Sequence, residues 1–150
     1  MADQRLADAD AAIEKADKVT KVYPDFYLAY VWLGLAYVEK GKFQEAVSVY
    51  QQAAQKNPRS AEAQHGLGLA LVGLNRYQES LAAFQAAVRL QPTWARAHAN
   101  LGVAYLKLKR WREAAQALQT ALKHKTDMRT AAYVVAINRV ASACKQRGWV

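Results

Sequence analysis

The sequence predicts an all-α chain built of helix hairpins, and three observations carry that expectation. Pro24, Pro58 and Pro92, the only prolines in 150 residues, stand 34 residues apart. The same step carries Leu33-Gly34-Leu35-Ala36 onto Leu67-Gly68-Leu69-Ala70 and then onto Leu101-Gly102-Val103-Ala104. It also aligns Glu45 with Glu79 and Glu113, Phe43 with Tyr77 and Trp111, Tyr50 with Phe84 and Leu118, and Ala53 with Ala87 and Ala121. Self-similarity at such a period marks a repeat architecture, in which each unit buries its apolar face on its neighbours.

Taken in order, residues 1–26 read as the second helix of a preceding unit, with Ala12, Ala16 and Val19 leading to Pro24 at the repeat spacing. Three full units follow at 27–60, 61–94 and 95–128. Their glycines, Gly34, Gly68 and Gly102, fall inside predicted helices, where glycine costs about 1 kcal/mol against alanine. Close helix packing is the expected compensation, with the small residues Ala46, Ser80 and Ala114 on the partner helix. Each second helix opens on an aromatic, Phe43, Tyr77 or Trp111, and Tyr50, Phe84 or Leu118 follows seven residues later on the same face. Gly41 and Asn75 suit the left-handed residue that ends a first helix, and Lys109 at the same place predicts a slightly strained turn. Proline stops each second helix, with Ser60 and Thr93 as candidate caps for the next. Thr126 and Asp127 stand where a fourth proline would fall. Residues 129–150 keep Ala131 in first-helix register and show a helical period through Tyr133, Ile137 and Val140, which predicts a capping helix.

These residues together resemble the tetratricopeptide repeat family, whose pattern runs from an aromatic through Leu-Gly and Tyr to Ala, an aromatic, Ala and Pro. The resemblance covers nearly the whole chain. It implies a right-handed α-solenoid of antiparallel helix hairpins whose first helices line a concave groove. The groove positions that the resemblance implies are Val31, Trp32, Leu35 and Val38 in the first repeat and His65, Leu69 and Val72 in the second. Arg96, Asn100, Val103 and Leu106 follow in the third, and Tyr133 and Ile137 in the capping helix. A carboxylate clamp of the chaperone-adaptor kind is not expected, because only Arg96 and Asn100 match its residue types.

A hydrophobic fraction of 53% is ample for a continuous core. The net charge of +9 is unevenly placed. Residues 1–94 hold 10 basic and 10 acidic residues, whereas 11 basic residues after Trp94 face only Glu113 and Asp127. Lys107, Lys109, Arg110 and Arg112 surround one turn, and Lys123, Lys125 and Arg129 the next junction. Such a face suits an acidic partner and equally a solvated surface; no nucleic-acid fold signature accompanies it, so nucleic acid and membrane are disfavoured. The sequence has no run of about 18 apolar residues and no basic start followed by an apolar stretch, so a cytoplasmic setting is the default expectation. Opening on half a repeat fits a segment of a longer protein. Cys144 is the single cysteine, which excludes an internal disulfide and fits a small packed residue.

Catalytic chemistry is not expected. The sequence lacks a phosphate-binding glycine loop, a nucleophile elbow and a Cys/His cluster at metal-ligand spacing, and no cofactor is implied. His65 and His98 are too few for a zinc site, and His124 suits a helix end. Asp3, Asp8, Asp10, Glu14 and Asp17, interspersed with lysines, read as an exposed helix surface. The expected function is a protein-interaction scaffold that binds an amphipathic helix or an extended apolar segment in its groove. The alternative is an electrostatic adaptor that uses the basic face to bind an acidic partner, nucleic acid or an anionic membrane, or else a self-associating module. Packing against neighbouring helices would also account for the apolar first-helix residues.

Overall fold

A computed structural model describes residues 2–124 and the isolated positions Arg139, Ser142 and Gln146, each of them helical and exposed. Among the described residues there are seven α-helices and no strand: α1 (Ala2–Val22), α2 (Tyr27–Glu39), α3 (Phe43–Lys56), α4 (Ala61–Gly73), α5 (Tyr77–Leu90), α6 (Ala95–Lys107) and α7 (Trp111–Lys123). The chain divides into two compact units, Met1–Leu90 and Gln91–Val150. In the first, α1 packs on α2, and the hairpins α2/α3 and α4/α5 are joined by contacts of α4 with both α2 and α3. In the second, α6 packs on α7.

The hairpin turns share one backbone solution. Gly41, Asn75 and Lys109 all adopt positive φ, at 72°, 59° and 59°. Their amides donate to the carbonyls of Val38, Val72 and Leu106, and the next residues, Lys42, Arg76 and Arg110, donate to Tyr37, Leu71 and Tyr105. This is a Schellman closure, which satisfies the last carbonyls of a helix through a left-handed residue. Glycine adopts that conformation without penalty, asparagine tolerates it, and lysine bears the Cβ clash there.

The glycines inside the first helices are explained by large side chains. A Cβ on Gly34 would lie 2.7 Å from the Tyr50 ring, one on Gly68 2.5 Å from Phe84, and one on Gly102 2.5 Å from Leu118. Glycine therefore admits the principal core residue of the second helix; the expected partners Ala46, Ser80 and Ala114, though fully buried, are not the nearest atoms. Tyr50 is enclosed from two sides, because a Cβ on Gly66 of α4 would also strike its ring. Burial pushes the Tyr50 phenol far above its ordinary range, so it stays neutral at any physiological pH.

Capping departs from expectation at one place. Ser60 caps α4 by accepting a hydrogen bond from the Ala63 amide at 3.1 Å. Thr93 does not cap α6: that helix begins one residue later, its N-cap position is Trp94, and no side chain bonds there. The repeat places Phe26, Ser60 and Trp94 in register, so only the middle one carries a cap-forming hydroxyl.

Candidate protein-binding site

In the first unit an open cleft of about 440 Å³ lies between α1 and α2. Arg5, Asp8, Ala9 and Ala12 form its α1 wall, and Trp32, Leu35, Ala36 and Glu39 its α2 wall. The floor is apolar and the rim charged. Trp32 and Leu35 are each 51% exposed, which is unusual for large apolar side chains standing one helical turn apart. Trp32 is held by an edge-on contact with Phe26, the ring centroids 5.8 Å apart and the planes at 83°. An ion pair between Lys40 and Asp10 ties the end of α2 to α1 beside the cleft.

The cleft exists because α1 departs from the repeat. Ala9 occupies the register of Phe43, Tyr77 and Trp111, and Ala16 that of Tyr50. Alanine at Ala9 leaves open the volume that an aromatic fills at the start of α3, where Phe43 packs so closely on Gly73 that a Cβ there would lie 2.3 Å from its ring. The counterpart of Gly73 on α2 is Glu39, on the rim. Helix α1 also runs 21 residues where α3 and α5 run 14, and its additional N-terminal residues supply Arg5 and Asp8 to the wall.

The other residues assigned to the groove by resemblance have mixed placements. Val31 and Val38 pack against the core cluster of Val47, Tyr50, Ala70 and Leu71. His65 is 6% exposed, with its ring 5.7 Å from that of Phe84. Leu69 and Val72 are half-buried on α4. In the second unit Arg96 is exposed, Asn100 and Val103 are half-buried, and Leu106 packs against Leu118 and Ala121. Tyr133 and Ile137 lie outside the described residues. The α1 wall of the cleft was not among the sequence candidates. Its legible signal was the alanine at Ala9 in an otherwise aromatic position.

On the basic face, Lys107, Lys109, Arg110, Arg112 and Lys123 are exposed, while Lys125 and Arg129 lie outside the described residues. Arg110 is already engaged: it bonds Glu113 at 3.0 Å and its guanidinium lies 4.9 Å from the Tyr105 ring centre. Elsewhere in this unit His98 stacks on His124 at 5.9 Å, with His98 Nε2 2.8 Å from the Pro92 carbonyl. His124 is the C-cap residue of α7. Among the described residues no group of three His, Cys, Asp or Glu side chains is placed to hold a metal ion, and no helix is long and apolar enough to cross a membrane.

The family described as Tetratricopeptide repeat matches residues 1–63, 33–93 and 65–130. The chain belongs to the tetratricopeptide repeat family. Among curated proteins, the small glutamine-rich tetratricopeptide repeat-containing protein 2 of Mycosarcoma maydis is 35% identical over 63 residues, which is 42% of this chain and 18% of that protein. The chain thus spans less than a fifth of that relative. Among solved structures, the crystal structure of MamA aligns at a TM-score of 0.81 with 25% identity, over 91% of this chain and 80% of that one. A thermophilic tetratricopeptide repeat protein of Thermus thermophilus aligns at 0.79 with 23% identity, over 89% and 75%. The all-α solenoid class of the family is therefore that of this chain, and tetratricopeptide repeat proteins serve as protein-interaction scaffolds.

Proposed function

We propose that this chain is a non-enzymatic scaffold that binds an amphipathic helix or an extended apolar segment of another protein on the exposed faces of its first helices. The observation that carries the reading is the apolar cleft with Trp32 and Leu35 side by side, half exposed, on a scaffold of tightly packed helices. Burying the exposed half of two such side chains on a partner is worth roughly 0.8–1.5 kcal/mol each, enough to help anchor a helix by one or two residues. The charged rim of Arg5, Asp8 and Glu39 would select among apolar segments by their flanking charges.

A photoreactive residue in place of Leu35 tests the reading by covalent capture of whatever occupies the cleft. Binding of the captured partner should fall at least tenfold in Leu35→Arg, with an unchanged melting curve, because Leu35 contributes little to the core. The competing reading, an electrostatic adaptor, is favoured by the exposure of Lys107, Lys109, Arg112 and Lys123. Under that reading Leu35→Arg would bind normally and reversal of Lys107, Lys109 and Arg112 would abolish binding.

A further inference from the structure

The repeat itself states what kind of element fits the cleft. Helix α2 packs on both α3 and α4. A shift of one repeat toward the N-terminus converts α3 into α1 and α4 into α2, so the α1/α2 cleft is the seat of a first helix. In its own seat α2 contributes Val31 and Val38, seven residues apart, to the core cluster. The complementary occupant is therefore a helix with apolar residues at that spacing.

The chain contains one further sequence of this kind. Three repeat lengths after Val31, Leu35 and Val38 stand Tyr133, Ile137 and Val140, all apolar and in first-helix register. Residues 129–150 carry Arg129, Arg139, Lys145 and Arg147 and no acidic residue. The cleft offers Asp8 and Glu39 against Arg5, with Asp3 on the same exposed stretch of α1. Arg139, Ser142 and Gln146 are helical and exposed, at spacings of three and four that place them on one helix face.

We propose that the cleft receives residues 129–150 of a second copy of this chain. The first-helix sequence of one molecule and α1 of the next then complete a repeat between them. The interface is heterologous, because the two contributed surfaces differ. Such contacts propagate head to tail into rings or filaments rather than stopping at a symmetric dimer. The inference rests on reading the cleft as a segment-binding site and names its occupant.

Sedimentation velocity on the full chain over a wide concentration range tests it, with wild type, a seat variant Leu35→Arg, and a tail variant carrying Arg139→Glu and Lys145→Glu. Wild type should form species beyond the dimer, and each variant should shift the concentration of half-assembly upward by roughly tenfold or more. Circular dichroism melts of both variants should match wild type, since Leu35 and Arg139 are exposed. The decisive sample mixes the two variants. One intact seat and one intact tail remain, so the mixture should give one-to-one complexes and nothing larger. Wild type that stays monomeric throughout, or assembly that persists in Leu35→Arg, overturns the proposal. Assembly lost in the seat variant but kept in the tail variant also overturns it, in favour of a symmetric contact. If wild type is monomeric while Leu35→Arg still abolishes capture of another protein, the segment-binding reading stands and only the occupant is wrong.

Discussion

Single residues in this chain are constrained by what touches them from the neighbouring helix. Gly68 is one such case: alanine would favour the helix by about 1 kcal/mol, yet its Cβ would lie 2.5 Å from the fully buried Phe84 ring. Overpacking of this kind costs typically about 1–3 kcal/mol or more, so Gly68→Ala should lower stability by about 1–2 kcal/mol in a urea titration. Lys109 presents the opposite situation. It holds the left-handed turn at φ 59° despite carrying a Cβ. Lys109→Gly should raise stability by about 1 kcal/mol, whereas Asn75→Gly should gain less. Asn75 tolerates the conformation, and its Oδ1 accepts a hydrogen bond from the Tyr77 hydroxyl at 2.8 Å. A melting comparison of the two variants separates these outcomes.

At the level of the element, two of the second helices, α5 and α7, open on a shared charge device. Arg76 precedes α5 and donates from Nε and a terminal nitrogen to the two oxygens of Glu79, at 2.8 and 2.5 Å, and before α7 Arg110 donates from the same two nitrogens to a single oxygen of Glu113, at 3.2 and 3.0 Å. The glutamates also lie in the first turn, where a negative charge complements the helix dipole. The hydrogen bond from Arg76 holds the Glu79 carboxyl below its usual value of 4.5. For Glu113 the main cause is its own backbone amide, followed by Arg110. A carboxylate lowered in the folded state stabilises above its unfolded value and loses that contribution as pH falls through the folded one. Wild type should therefore melt slightly above Glu79→Gln at pH 7, and the gap should close below about pH 4. Arg76 and Glu79 are both exposed, so the gap is small and should shrink in high salt. The recurrence of glutamate in the sequence was legible from the period alone; its pairing with the preceding arginine was visible only once the turn folded the two together.

For the molecule as a whole, charge and apolar surface are segregated along the chain. The apolar cleft belongs to the first unit, and the basic excess follows Trp94. Their contributions to binding separate by ionic strength. A partner anchored on Trp32 and Leu35 should keep its affinity to within a few-fold between about 50 and 200 mM salt, while reversal of Lys107, Lys109 and Arg112 should slow association mainly at low salt. A loss of several orders of magnitude over that range would instead mark multiple phosphate contacts on the basic face. Surface plasmon resonance at several salt concentrations reads both quantities.

The sequence by itself determined the repeat, the number and order of the described helices, the left-handed residues at Gly41, Asn75 and Lys109, and the buried register of Tyr50, Phe84 and Leu118. Each of these follows from local stereochemistry or from a periodic apolar face, and the 34-residue step displays both without reference to three dimensions. Only the tertiary structure decided which large residue each helical glycine admits, and which apolar first-helix residues are spent in the core and which are left exposed. Val31 and Trp32 are neighbours in sequence and equally apolar, yet Val31 packs into the core cluster and Trp32 remains half exposed on the cleft. Exposure depends on what stands opposite. Opposite Trp32 and Leu35 the chain places the small side chains of Ala9 and Ala12, on a helix whose charge pattern marks an exposed surface.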